Sequence, residues 1–139
     1  MSVALTPYLN FDGNTREVME FYHGVLGGEL TVTSFAEGMG EEVDASLADR
    51  VMHSSLFVGS GFHLMASDTM PGQPPSPNGT VSLSSADAAD AAALQGYWDG
   101  LVAGGTVVMP LELAPWGDMF GMLVDRFGVS WMADFVPSA

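Results

Sequence analysis

The feature that most constrains this chain is a motif that occurs once in each half of its 139 residues. Residues 21–28 read FYHGVLGG, and residues 97–105 read YWDGLVAGG. Each copy is an aromatic pair, a glycine two residues later and a double glycine, which ends a helix because glycine tolerates the left-handed conformation. Chance could make two amphipathic helices alike, but the elements around them repeat in the same order. We therefore interpret the pattern as an internal duplication.

In the first half, apolar and polar residues alternate from Val3 to Phe11, which predicts a half-buried strand. Asn14 followed by Glu17 predicts a capping box at the start of a helix. The apolar face of that helix is formed by Val18, Phe21, Tyr22, Val25 and Leu26. The remaining elements expected are a strand at 29–35, an acidic loop with one helical turn at 36–50, and strands at 52–58 and 62–67 joined by a hairpin at 59–61.

Residues 68–79 contain four prolines, which exclude a helix or a central strand. This segment is interpreted as a linker between module one, about 1–67, and module two, about 80–139, within a single domain of ordinary length. Module two is expected to contain a strand at 80–84, a helix capped near Ser85 and running to about Ala103, and strands at 106–113, 117–124 and 129–136. The helix should bury Ala91, Leu94, Trp98, Leu101 and Val102.

The composition limits the compartment and the partners that the protein can have. There is no cysteine, which excludes disulfides, thiolate metal sites and a cysteine nucleophile and fits a reducing compartment. Seventeen acidic residues against three arginines give a formal charge of -14, which disfavours nucleic acid and anionic membranes as partners. No signal peptide and no membrane-spanning apolar run is visible, so a cytoplasmic protein is expected.

Several phrases resemble the PhnB-like branch of the glyoxalase/bleomycin-resistance (vicinal oxygen chelate) superfamily. They are PYLNF at 7–11, FY at 21–22, LGGE at 26–29, LMASD at 64–68, WGDMFG at 116–121 and DRFGVSWM at 125–132. The resemblance covers nearly the whole chain. It implies an α+β fold of two βαβββ modules whose eight strands form a cupped, mostly antiparallel sheet, with helices outside and a cavity inside. It also implies a homodimer, which would cover exposed sheet edges.

On this fold, strand alternation assigns a face to each residue. The residues expected to face the helices are Leu5, Leu9, Phe11, Leu64, Val81, Leu83, Trp131 and Phe135. The residues expected to face the cavity are Thr6, Tyr8, Asn10, His63, Met65, Ser67, Ser82, Ser84, Ser130 and Met132.

The resemblance also indicates where metal-dependent relatives hold a divalent ion, on the first, fourth, fifth and eighth strands. Those positions fall on Thr6, on His63 or Met65, on Thr80 and on Met132. At most one of them is a usable ligand, whereas zinc requires three or four nitrogen, oxygen or thiolate ligands. We therefore expect no metal and no cofactor.

The candidate substrate-binding residues combine histidines with methionines and aromatic side chains, which form adaptable apolar pockets. They are Tyr8, His53, His63, Met65, Ser82, Trp116, Phe120 and Met132. Either His53 or His63 could act as a general base, although a lone histidine more often serves as a structural hydrogen-bonding group. For Asp68 a turn cap is favoured over a place at the cavity rim.

The leading hypothesis is a metal-free, small-molecule-binding protein with an apolar to aromatic ligand. The alternative is a vicinal-oxygen-chelate enzyme of lyase, isomerase or dioxygenase type, and a third reading is an interaction domain with an incidental cavity. The sequence shows no nucleophile elbow, phosphate loop or glycine-rich loop of a doubly wound methyl-donor domain.

Overall fold

The computed structural model describes residues 3–40, 42–59 and 61–138. Contacts within the chain divide it into two compact units, Met1–Asn78 and Gly79–Ala139, which we call module one and module two. The proline-containing segment groups with module one. There, Asn78 is tied to the first strand, because its side-chain oxygen accepts a hydrogen bond from the Asn10 backbone amide at 2.8 Å.

Module one holds a four-stranded sheet with the helix α1 packed on one face. Its elements are β1 Tyr8–Phe11, α1 Thr15–Leu26, β2 Glu29–Ser34, α2 Phe35–Met39, β3 Val51–Gly59 and β4 Phe62–Asp68. The strand order is β1-β4-β3-β2, with β1 parallel to β4 and the other pairs antiparallel. The hairpin predicted at 59–61 includes Ser60, which lies outside the described residues.

Module two repeats this arrangement. Its elements are β5 Thr80–Ser85, a 3-10 turn Ala88–Asp90, α3 Ala91–Val102, β6 Thr106–Leu113, β7 Met119–Val124 and β8 Ser130–Phe135. The strand order β5-β8-β7-β6, with one parallel pair at its start, matches that of module one. The α+β fold of two βαβββ modules is therefore confirmed, with α2 as a one-turn addition to module one.

The double glycines have the same two functions in both modules. Gly27 and Gly104 have φ angles of 75° and 77°, the left-handed conformation that ends α1 and α3. Gly28, which itself has a φ of 83°, and Gly105 lie against strand backbone, since a Cβ at either position would collide with a carbonyl oxygen, that of Phe57 or that of Val124. The repeated motif thus marks the place where each module packs its helix end onto its sheet.

The core of each module lies between its helix and one face of its sheet. In module one the buried residues are Val18, Met19, Tyr22 and Leu26 from α1 with Leu9, Phe11, Leu56 and Leu64 from the strands. In module two they are Ala91, Leu94, Trp98 and Leu101 from α3 with Val81, Leu123, Trp131 and Phe135 from the strands. Four residues predicted to be inward are only half-buried: Phe21, Val25, Leu83 and Val102.

The start of α1 differs from the prediction. Asn14 occupies the cap position, but its side chain makes no capping hydrogen bond. Asp68, from the end of β4, accepts hydrogen bonds from the backbone amides of Gly13, Thr15 and Val51 at 2.8–3.0 Å and from the Thr15 hydroxyl at 2.6 Å. A carboxylate more than fifty residues away therefore replaces the local cap. Asp68 is a capping residue as predicted, but it caps the start of α1 and not a turn beside the linker.

The first strand is shorter than predicted. β1 begins at Tyr8, and Leu5, expected to face the helices, is fully exposed. The alternation from Val3 onward was therefore misleading, because the pairing of β1 with β4 starts at Tyr8 and Met65. None of the described helices is long and apolar enough to cross a membrane.

Candidate functional site

We call the sheet face that points away from the helix the open face of each module. On module one, strand register places the predicted residues Tyr8, His63 and Met65 on this face, since Tyr8 lies opposite Met65 on β4. On β3, Ser55 lies opposite Met65, and Phe57 lies opposite His63. His53, two residues before Ser55, shares the face. The four module-one candidates therefore lie on one surface.

Tyr8 and His53 form a pair across this open face. Their rings are stacked with centroids 5.9 Å apart, and a hydrogen bond of 3.2 Å joins the Tyr8 hydroxyl to His53 Nδ1. Because Tyr8 is on β1 and His53 on β3, the tyrosine ring extends over the intervening strand β4. Half of the Tyr8 surface, 50%, remains exposed, so the pair offers both a ring face and polar atoms.

His63 forms the second cluster. Its Nε2 lies 2.6 Å from the Ser55 hydroxyl, and its ring meets the Phe57 ring edge-on at 5.7 Å. Phe57 is 51% exposed. Among the described residues, no hydrogen bond is formed by the other ring nitrogens, Nε2 of His53 and Nδ1 of His63. A neutral imidazole held in this way can donate or accept a ligand hydrogen bond, or act as a general base.

On module two, the open face carries the remaining candidates. Ser82 on β5 lies opposite Met132 on β8, and Met132 lies opposite Met122 on β7. Phe120 shares this face, and its ring contacts Trp116 edge-on at 5.5 Å. Trp116, in the turn between β6 and β7, is 61% exposed.

A pair of carboxyl groups borders the same open face, and sequence reasoning missed it. Ser84, Ser85, Ala86, Asp118, Asp134 and Val136 line a cleft of about 410 Å³. The pKa of Asp134 is raised, first by burial, then by the hydrogen bond that its protonated form donates to Asp118, and by charge repulsion from Asp118. Asp134 Oδ1 is buried and has no hydrogen-bond partner. The two carboxyls therefore share a proton more readily than isolated ones would.

The missed pair had no sequence signal, because Asp118 and Asp134 lie on different elements. In sequence, Asp118 and Asp125 flank β7, where aspartate is typical of a turn. Asp125 does hold a turn, accepting hydrogen bonds from the amides of Phe127 and Val129 and from the Trp131 indole.

The positions that hold a divalent ion in metal-dependent relatives do not fit such an ion here. In module one the open-face register pairs Tyr8 with Met65 as it pairs Ser82 with Met132 in module two, so Met65 rather than His63 corresponds to Met132. The donors at these positions are then hydroxyls and thioethers, which compete poorly with water for hard divalent ions. Within the described ranges, no group of three or more His, Asp or Glu side chains is arranged to hold a metal.

Comparison with known proteins shows which family has this architecture. A family model described as 3-demethylubiquinone-9 3-methyltransferase matches residues 3–133. The chain belongs to this PhnB-like family. It is 29% identical to protein YjdN of Escherichia coli over 143 residues, with 95% of both chains covered.

Solved structures agree with this membership. A protein of Pseudomonas aeruginosa, PA1353, is 38% identical and superimposes with a TM-score of 0.83 over 99% of this chain and 100% of that one. A Bacillus cereus PhnB protein described as a putative 3-demethylubiquinone-9 3-methyltransferase is 21% identical, with a TM-score of 0.69 over 95% and 98% of the two chains. A member of the glyoxalase/bleomycin resistance protein/dioxygenase superfamily from Sphaerobacter thermophilus shares the fold at 18% identity, with a TM-score of 0.54 over 97% and 98%.

Proposed function

We propose that this PhnB-like protein binds a small molecule with an apolar to aromatic surface on the open face of module one. The observation that supports this most is the joint placement of His53 and His63. Each imidazole is bonded to a hydroxyl and packed against an aromatic ring, and both rings are half exposed. A planar ligand could contact Tyr8 and Phe57 while a ring nitrogen of either histidine fixes its orientation.

The ligand is expected to be uncharged or cationic. The net charge is -14, and the chain has three arginines. Arg50 is engaged with the Asp12 carboxylate at 2.9 Å, and Arg126 donates to the Ala103 carbonyl at 3.0 Å. An anionic ligand would therefore meet a repulsive field with little local compensation.

The names of related proteins fit a binding role and an enzymatic one. The superfamily description covers bleomycin resistance proteins as well as glyoxalases and dioxygenases. Methyl transfer, which the family description mentions, is not our proposal, because the described modules are built around mostly antiparallel four-stranded sheets rather than a doubly wound parallel sheet. Fold alone is a weak argument for function, so the proposal is based on the open face.

One observation favours an enzymatic alternative, a lyase, isomerase or dioxygenase acting on adjacent oxygens. The 2.6 Å contact between the Ser55 hydroxyl and His63 Nε2 is short for a hydrogen bond involving nitrogen. A histidine so held could move a proton to or from a bound substrate. A turnover screen that gives product with the wild type and none with His63→Ala would establish this alternative.

We further propose a cytoplasmic homodimer. The cysteine-free composition fits a reducing compartment. The last strand of the second sheet, β6, leaves Val107, Val108 and Leu113 exposed at a sheet edge, a surface that a second copy could cover.

Isothermal titration with a panel of small aromatic compounds tests the binding proposal, because the three tryptophans all lie in module two and would not report on module one directly. We expect Phe57→Ala and His63→Ala to weaken binding of the best compound by about tenfold or more, as for a central aromatic contact. The control is Met39→Ala, an exposed residue of α2, which should bind like the wild type. Binding confined to phosphates or carboxylates would refute the proposal.

A further inference from the structure

We propose that module two binds one soft monovalent metal ion, Cu(I) or Ag(I), through the thioethers of Met109, Met122 and Met132. All three residues belong to module two, and none of them is among the module-one residues of the binding proposal. Thioethers select soft ions such as Cu(I) over hard divalent ions. The proposal therefore agrees with the poor fit of these positions to zinc, nickel, manganese or iron.

The three methionines form a row across adjacent strands. Met109 on β6 lies opposite Met122 on β7, and Met122 lies opposite Met132 on β8. Met122 and Met132 are opposed in an unbroken register, so their side chains project to the same face with Cβ atoms about 4.5–5.5 Å apart. Met109 lies between two register shifts of the β6–β7 pair and joins the row at a bulged part of β6. The two outer strands are separated by about 9–10 Å, twice the spacing between neighbouring strands. Methionine has three rotatable side-chain bonds, so the outer sulfurs can converge over Met122.

The row lies on the open face rather than in the core. Along β7 the neighbours of Met122 in sequence, Gly121 and Leu123, are buried on the opposite face, where a Cβ at Gly121 would meet the Trp98 ring of α3. Met122 and Met132 are half-buried, and Met109 is 46% exposed. An ion can therefore reach the sulfurs without unfolding the module.

The corresponding row of module one is not a row of methionines. By the same register its members are Thr31, Ser55 and Met65, which include a single thioether. The methionine row is thus a feature of module two and not a by-product of the duplicated fold.

Two neighbours on the open face favour a monovalent cation. Phe120 is two residues before Met122 on β7, and an aromatic face attracts a cation within about 6 Å of its centre. Asp134, two residues after Met132 on β8, lies opposite Phe120 and places a carboxyl group one row from the sulfurs. Three neutral thioethers do not cancel the charge of the ion, so the net charge of -14 supplies compensation.

Titration of the full-length protein with silver nitrate in chloride-free buffer, followed by NMR of ¹³C-methyl-labelled methionine, tests the proposal. We expect three methyl resonances, those of Met109, Met122 and Met132, to shift and to stop shifting at one equivalent of Ag(I). The exposed Met39 and Met70 are internal controls and should stay unshifted up to that point. Parallel shifts of all exposed methionines without a break at one equivalent would overturn the proposal.

Variants provide an independent measurement. Leucine conserves the volume of methionine, so Met122→Leu and Met132→Leu should keep the fold by circular dichroism and weaken Ag(I) binding at least tenfold, while Met70→Leu should leave it unchanged. The same ranking is expected for Cu(I) in anaerobic competition with a chromophoric chelator. Unchanged affinity in both folded variants would overturn the proposal, and neither result affects the test with aromatic compounds at module one.

Discussion

Gly28 and Gly105 differ from most glycines of the chain in the space that a side chain would need. A Cβ at Gly28 would lie 2.5 Å from the Phe57 carbonyl oxygen, and one at Gly105 would collide with that of Val124. Since both obstacles are strand backbone, relief requires the helix end to move. We expect Gly28→Ala and Gly105→Ala each to lower the free energy of unfolding by about 1–3 kcal/mol, the usual range for overpacking, as measured by urea denaturation.

Gly24 and Gly96 are the matched controls for this prediction. They lie within α1 and α3, and a Cβ at either would meet no heavy atom within 4 Å. Alanine at these positions should stabilise the protein by about 0.5–1 kcal/mol, because glycine costs that much in a helix. Losses of equal size at all four positions would show that the cost at Gly28 and Gly105 does not come from contact with the strands.

Among the described residues, Asp134 is the group whose pKa is raised. Burial and the neighbouring Asp118 favour its protonated form in the folded state. A carboxyl group with a raised folded pKa destabilises the protein at every pH where the unfolded chain would ionise it, and this penalty disappears as the pH falls through the folded value. Asp134→Asn, which removes the charge and can still donate to Asp118, should therefore be more stable than the wild type at pH 7.

The decisive observation is how the stability difference between Asp134→Asn and the wild type depends on pH. The stability gain of Asp134→Asn should shrink as the pH is lowered toward about 3.9, the ordinary value for aspartate. Thermal unfolding at several pH values measures it, with Asp99→Asn on the exposed side of α3 as the control. A difference that is absent at pH 7, or that grows in acid, would contradict the shared-proton description of Asp118 and Asp134.

At the scale of elements, the sequence predicts the order of strands and helices well, and its errors have physical causes. The bounds of β6 were predicted without error, and α1 and β5 were within a residue or so of their observed limits, because alternation and glycine are local signals. Residues 3–7 also alternate, but β1 begins at Tyr8. The capping by Asp68 likewise depends on a residue brought near by folding.

For the open faces too, local sequence signals predicted some features, and contacts formed only on folding could not be predicted. Parity along each strand predicted that Tyr8, His63, Met65, Ser82 and Met132 would share the faces away from the helices, and the register agrees. It could not predict which residues pair across strands. The Tyr8–His53, Ser55–His63 and Asp118–Asp134 pairs are all products of register and rotamer. That these residues bind a substrate remains a prediction.

The strand β6 exposes apolar side chains at the edge of its sheet, where a second copy of the chain could pack. It is the terminal strand of its sheet, and Val108 on it is exposed. If a second copy covers this edge, Val108→Lys should convert the protein to a monomer without loss of secondary structure, because lysine at an edge strand opposes pairing. Gln95→Lys, exposed on α3, adds the same charge elsewhere and should leave the assembly intact.

Light scattering at micromolar concentration provides the measurement. The wild type and Gln95→Lys should give twice the chain mass of 14.6 kDa, and Val108→Lys should give the single-chain mass. A wild-type monomer would contradict the homodimer, and a dimeric Val108→Lys would exclude β6 as the interface.

At the scale of the whole molecule, the duplication has produced two equal frameworks with different open faces. The registers make Tyr8 correspond to Ser82, His53 to Phe120, Ser55 to Met122, Met65 to Met132 and Ser67 to Asp134. Module one thus carries an imidazole and two hydroxyls, those of His53, Ser55 and Ser67, where module two carries a phenyl ring, a thioether and a carboxyl. A shared fold with divergent faces is consistent with two different binding chemistries in one chain.

The side chains at the positions that hold a metal in relatives also predict the divalent-metal content of the purified protein. Protein dialysed extensively, since a charge of -14 attracts cations loosely, should contain well under one equivalent of zinc, nickel, manganese or iron by elemental analysis. Hydroxyl and thioether donors do not retain these ions. A full equivalent that is lost in His63→Ala would contradict this expectation and would favour the enzymatic alternative.

The central claim, that module one binds a small aromatic molecule between its two histidine clusters, is tested most directly by the histidine ring resonances. His53 and His63 lie on the open face, and His23, exposed on α1 with its Nε2 3.0 Å from the Gly28 carbonyl oxygen, is an internal control. During titration with the best compound of the aromatic panel, the Cε1–H signals of His53 and His63 should shift together and saturate while that of His23 stays fixed. Saturable binding that leaves both open-face histidines unshifted would contradict the account.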